Sequence, residues 1–139
     1  MSASSLDAVL AVGLCLFGAG TLLGIPHGLS KRRGDLVRTE LWRVAHLSTC
    51  VGGVSLVALA FASERLVPVR ASAIVWPFAL AACLFFAACT LSGVLGQGWD
   101  GDRSRPGVRL VYLLQIAASA ASVVAVAAIV LALAERAFR

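Results

Sequence analysis

Residues 44–61 read VAHLSTCVGGVSLVALAF, an uncharged apolar run with one imidazole near its head. A bilayer core about 30 Å thick is crossed by roughly 20 apolar residues in a helix. The run therefore predicts a membrane span. Ala8–Ile25, Ala71–Leu95 and Val111–Ala134 are runs of the same kind. Together the four take up most of the 139 residues and leave no room for a soluble domain. The chain is 60% hydrophobic and 14% charged, with mean hydropathy +0.92, more apolar than a soluble domain of this size requires. The expected fold is all-α: an integral membrane four-helix bundle, one domain over 1–139. Its helices are expected at about 6–25, 36–63, 71–95 and 107–135.

The connections carry the charge. Lys31, Arg32, Arg33, Arg38 and Arg43 flank the first; Arg103, Arg105 and Arg109 flank the third. The opposite side holds Arg65, Arg70, Arg136 and Arg139. The positive-inside rule then sets connections one and three in the cytoplasm and both termini outside. A multi-pass protein of a bacterial inner membrane fits this layout. Residues Met1–Asp7 contain no Lys or Arg, so the first run lacks the basic leader of a cleaved signal and is expected to be kept. The net charge of +5 suits topology and anionic lipid. Nothing in the chain is arranged to follow a nucleic-acid backbone, so no nucleic-acid partner is expected.

Local signals fill in the elements. Gly20, Gly24 and Gly28 form a row of small residues that lets a neighbouring helix come close. Pro26 is expected to end the first helix, with His27 just beyond it at the interface. Asp35 can cap the second helix. Pro77 predicts a kink or a late start in the third, and Trp76 suits an aromatic belt. Asp100-Gly101-Asp102 reads as a turn, because the oxygen set of a calcium loop is missing. Tyr112 and Gln115 share a face of the fourth helix, and Ala117–Ser122 gives it a smooth surface. Cys15, Cys50, Cys83 and Cys89 all lie in apolar runs, without a Cys-x-x-Cys pair, and read as packing residues.

Little is left to carry chemistry. No carboxylate lies deep in a run, which disfavours a proton-coupled exporter. No phosphate loop or nucleophilic triad can be assembled. Two histidines remain, His27 and His46, on the same side of the membrane. A neutral imidazole ligates iron well, and an ionisable residue in a span is a functional candidate by default. His46 alone would leave a haem iron one open position; His27 and His46 together would close it. A structural histidine is the competing reading for His46, and a headgroup contact for His27. Helical spacing sets Thr39, Trp42, Arg43, His46, Thr49, Cys50 and Gly53 on roughly one face. Arg43 or Arg38 could pair with haem propionates or snorkel. Gly52 and Gly53 remove bulk where either a macrocycle or a packed helix would need it.

Trp42-x-x-Ala45-His46, followed by a glycine-bearing apolar helix ending near Phe61, resembles the styrene oxide isomerase family of small four-helix membrane enzymes. More loosely, the chain is similar to the hydroxylaminobenzene mutases. The resemblance covers about Gly13 to Phe61. It implies that His46 ligates haem b as the catalytic and metal-binding residue, and only His46 carries over cleanly; Trp42, Arg43 and Gly53, on the His46 face by spacing, are then expected about the cofactor. It also implies a homo-oligomer, a trimer with haem at the subunit interface. In that family ferric iron takes an epoxide oxygen as a Lewis acid, and a 1,2-hydride shift gives the aldehyde. The substrate is a small hydrophobic molecule that partitions into lipid. Two departures stand out: the family's asparagine aligns with Gly52, and its third-helix tyrosine has no counterpart. Cys83, Phe85 and Phe86 occupy that region and are the expected substrate pocket. A non-catalytic haem protein for electron transfer and a haem-free membrane scaffold are the other readings.

Overall fold

The computed structural model describes residues 3–66 and 71–138. They form α1 (Ala3–Leu22), α2 (Gly24–Arg32), α3 (Leu36–Leu66), α4 (Ala71–Leu95) and α5 (Pro106–Ala137). The fold is an all-α bundle. Four stretches are long and apolar enough to cross a membrane: Ser5–Arg32, Leu36–Arg65, Ala71–Leu95 and Pro106–Ala137. The chain is thus built as a multi-pass membrane protein, with α1 and α2 sharing the first span.

The break between α1 and α2 corrects the expected helix stop at Pro26. The irregular residue is Leu23, and the helix resumes through Pro26 and His27 to Arg32. Proline lacks the N–H that would bond the carbonyl four residues back, and its ring crowds that carbonyl. For Pro26 that carbonyl belongs to Leu22, so the disturbance appears before the proline. Pro26 itself sits in the first turn of α2, where a missing N–H costs little. Leu23 instead donates its N–H to Ala19 and Gly20, both at 3.1 Å. His27 therefore lies within a helix, half-buried, and not in a loop.

The start of α3 follows its sequence. Arg38 donates its backbone N–H to Asp35 Oδ1 at 3.0 Å, and Thr39 Oγ1 donates to the Asp35 carbonyl at 2.7 Å. In α4, Pro77 is inside the helix, which begins at Ala71 and not late. In the third connection, Asp102 Oδ1 accepts the Ser104 N–H at 3.0 Å. The Ser104 hydroxyl and this N–H together hold the Asp102 carboxyl below its usual range and make the segment a side-chain-closed turn. Arg103 lies over the Tyr112 ring, 4.1 Å from its centroid.

The order of contact is α1 on α3, α3 on α4, and α4 on α5, with a lesser contact between α1 and α4. Among the described residues α5 packs on α4 alone. One core cluster joins Val9 and Leu16 of α1, Leu56 and Ala60 of α3, and Val75 and Ala79 of α4. The α1–α3 seam is set by missing side chains. A Cβ on Gly53 would lie 2.6 Å from the Gly13 carbonyl oxygen and 2.6 Å from the Phe17 nitrogen. One on Gly20 would lie 2.7 Å from the Cys50 nitrogen. These are backbone atoms and cannot swing aside. Gly28, by contrast, meets nothing within 4 Å, so the expected glycine row packs only at its first members.

Gly53→Ala should therefore destabilise the protein by about 1–3 kcal/mol, the usual cost of overpacking. Gly18→Ala, with nothing within 4 Å, should be neutral or slightly stabilising through helix propensity. Thermal unfolding in detergent compares the two. Equal melting temperatures for the two variants would contradict the backbone contact.

Candidate functional site

His46 sits about three turns inside α3, on the face that meets α1. Its Nδ1 is 2.7 Å from the Gly20 carbonyl oxygen. A carbonyl can only accept, so Nδ1 carries the proton and donates it. A neutral ring held this way keeps its lone pair on Nε2. Gly20 serves twice here. Its missing side chain lets α3 approach, and the break at Leu23 leaves its carbonyl bonded to the nearer Leu23 N–H at 3.1 Å. A Cβ on Gly24 would stand 3.6 Å from the imidazole, so α1 and α2 together form the surface on which the ring rests.

The other residues of the predicted haem face divide. Trp42 is 9% exposed and its indole covers Gly93 of α4, where a Cβ would come within 2.6 Å of the ring. It packs with Ala45, Cys89 and Leu23. It is a wedge between helices, packed on α4 and not set about a cofactor. Gly53 gives its open side to the backbone of α1 and not to a macrocycle; this corrects the expectation that it clears space for a cofactor. Arg43 is exposed and paired through two nitrogens to Glu40, Nε to Oε2 at 2.8 Å and Nη2 to Oε1 at 2.5 Å. Arg38 pairs with Asp35 at 3.7 Å. A propionate at either guanidinium would have to compete with these carboxylates.

Phe85 and Phe86 line a cleft of about 380 Å³ between α3, α4 and α5. Leu16, Ser48, Thr49, Gly52, Phe78 and Ser122 also border it. Cys83 does not border this cleft and is exposed. Cys83 stands roughly 160° around the helix from Phe85, two residues on, which corrects its place in the expected pocket. His46 does not border the cleft either. On α3 the cleft residues Ser48 and Gly52 lie around the helix from His46, as their spacing of two and six requires. A smaller cleft of about 180 Å³ contains Ser92, Trp99, Asp100 and Gln115.

Among the described residues no three His, Cys, Asp or Glu side chains gather as a metal cage. The four cysteines are free thiols. A haem iron needs one or two protein ligands only, and His46 offers Nε2 for that purpose. The sequence reading missed the Gly20 carbonyl, because Gly20 signals only close packing. Thr49, three residues from His46 and on the same side of α3, also borders the cleft. Against protein-family models, curated proteins and solved structures, the chain finds no match.

Gly93→Val should push the Trp42 indole out of its seat. With Trp76 and Trp99 replaced by Phe, the remaining emission should change wavelength, and stability should drop by about 1–3 kcal/mol. An unchanged spectrum would mean that Trp42 is not held there.

Proposed function

We propose that this chain is a membrane isomerase that holds haem b through His46 and converts a small lipophilic epoxide into its carbonyl isomer. The observation that carries the reading is the bond from His46 Nδ1–H to the Gly20 carbonyl. Metal-ligating histidines almost always donate their second ring N–H to a carbonyl or carboxylate, which fixes the tautomer and raises the basicity of the ligating nitrogen. When bound, haem b would supply a ferric Lewis acid for the epoxide oxygen. The chain's own groups would do the rest. His46 Nε2 would hold the iron, and the Gly20 carbonyl keeps the imidazole oriented. Phe85 and Phe86 exclude water, which would otherwise open the epoxide hydrolytically, and present ring faces to a developing carbocation. The rearrangement moves a hydride within the substrate and needs no external oxidant or reductant.

Within one chain His46 does not border the Phe85–Phe86 cleft. The proposal therefore includes a homo-oligomer, a trimer by resemblance, in which one subunit's histidine side faces another's cleft. The same separation favours a second reading, a non-catalytic haem protein. In that reading His27 on α2, which packs against α3, serves as the other axial ligand. Placement in a bacterial inner membrane with both termini outside belongs to the proposal and rests on the basic residues of connections one and three.

The absorption spectrum of the detergent-purified protein tests this. An intense Soret band of high-spin character that shifts on adding cyanide or imidazole is expected, together with aldehyde formation from an aryl epoxide in membranes. His46→Ala should cut haem content by at least about tenfold, as loss of a ligand should exceed the 10–100-fold effects of ligand-supporting residues. His27→Ala should leave it intact. A low-spin spectrum that resists added ligands and changes in His27→Ala supports the electron-transfer reading. Full haem content in His46→Ala overturns both, and no Soret band at all leaves a haem-free membrane subunit.

A further inference from the structure

The smaller cleft, of about 180 Å³, lies where the third connection folds back on the bundle. Leu41 of α3, Ser92 of α4, Gln115 of α5 and Gly98, Trp99 and Asp100 of the connection border it. Its polar groups are unusual for this protein. Ser92 is 4% exposed, yet its hydroxyl does not turn back on its own helix as those of Thr21 and Ser122 do. Nor is it sealed, as the unpaired Thr49 and Thr90 hydroxyls are; its small accessible surface opens on the cleft the residue borders. Gln115 sets an amide well inside α5, which begins at Pro106. Among the described residues no hydrogen bond or ion pair is made by the side chains of Ser92, Gln115 or Asp100. Asp35, Glu40 and Asp102 each pair with an arginine three residues on; Asp100 does not. A Cβ on Gly98 would stand 2.8 Å from Asp100 Oδ1 and 3.7 Å from Leu41 Cδ2. The missing side chain thus leaves the Asp100 carboxylate room on the side of the turn that faces α3.

We infer that this cleft binds a primary ammonium group, of an aminophospholipid headgroup or of a free amine, with Asp100, Ser92 and Gln115 as its acceptors. An ammonium has three N–H donors and no acceptor. The cleft offers three groups to match: the Asp100 carboxylate, Ser92 Oγ and the Gln115 amide oxygen. The positive charge is met by that carboxylate and by the Trp99 ring, half-exposed at the rim. It also lies at the C-terminus of α4, whose last turn contains Ser92 and where the helix dipole favours a cation. Arg38 reaches the same helix end, with its Nε 2.9 Å from where a Gly96 Cβ would be, but its charge is matched by Asp35. The volume is below the roughly 300–1,000 Å³ of drug-sized ligand sites and suits a small polar head, not a whole amphiphile. A quaternary ammonium has no N–H to give, and an anion would meet the Asp100 carboxylate. The site is separate from the Phe85–Phe86 cleft and does not rest on His46 holding haem.

Two comparisons on the full chain in detergent decide it. Native mass spectrometry with equal amounts of phosphatidylethanolamine and phosphatidylcholine of the same acyl chains reads the headgroup. Phosphatidylethanolamine should be retained about three- to tenfold over phosphatidylcholine, as one net hydrogen bond provides. Thermal unfolding without lipid compares ethanolamine with tetramethylammonium. A higher melting temperature with ethanolamine alone shows that a free amine takes the site; a headgroup preference without that rise makes the lipid the occupant. Asp100→Asn should remove whichever preference is seen. Asp7→Asn, the same charge change at the start of the first span, should keep it. Equal retention of the two lipids together with equal melting in the two cations, or a preference that survives Asp100→Asn, would overturn the inference. Should Asp100→Asn fail to insert, the two comparisons in the unaltered protein still decide.

Discussion

The contact on which the rest depends is backbone against backbone, where α1 crosses α3. Gly13, Gly20 and Gly53 let two main chains approach to distances that no side chain would permit. In lipid the gain from such a contact is van der Waals packing and polar pairing, not escape from water. The His46–Gly20 bond is a product of that closeness: a ring on one helix reaches a main-chain oxygen on the other only when nothing stands between them. The histidine's tautomer, its orientation and its remaining lone pair all derive from one seam of missing side chains.

Polar groups elsewhere obey the same economy. Charges collect at the ends of the spans, with Arg38 against Asp35, Arg43 against Glu40 and Arg105 against Asp102. Hydroxyls within the spans turn back on their own helices. Against that background an unpaired buried hydroxyl at Thr49 and an imidazole bonded across helices stand out as departures. Local departures from a general rule are where a fold is expected to carry function.

The four spans were legible in the sequence because membrane helices announce themselves by length and hydropathy. The Asp35 cap was legible because it involves neighbours three and four residues apart. What failed to read out depends on distant partners. Gly53 looks the same in a sequence whether its vacant side receives a cofactor or another helix. Cys83 and Phe85 are close in the chain, yet the helical turn sends only the phenylalanine to the cleft. Pro26 marks a break, but its effect falls on the carbonyl four residues earlier, so the visible irregularity is at Leu23.

The last helix has a different standing from the others. Among the described residues α5 packs on α4 alone, and the core cluster of α1, α3 and α4 includes no residue of it. Its attachment is a single seam, along which Val111, Ala118, Ala125 and Ala132 recur every seventh residue. Such a layout makes the protein modular in a literal sense. A chain severed within residues 96–105 yields a three-span piece that retains its own core and a one-span piece with one surface to find, so recombining the two halves requires the correct pairing of just two helices.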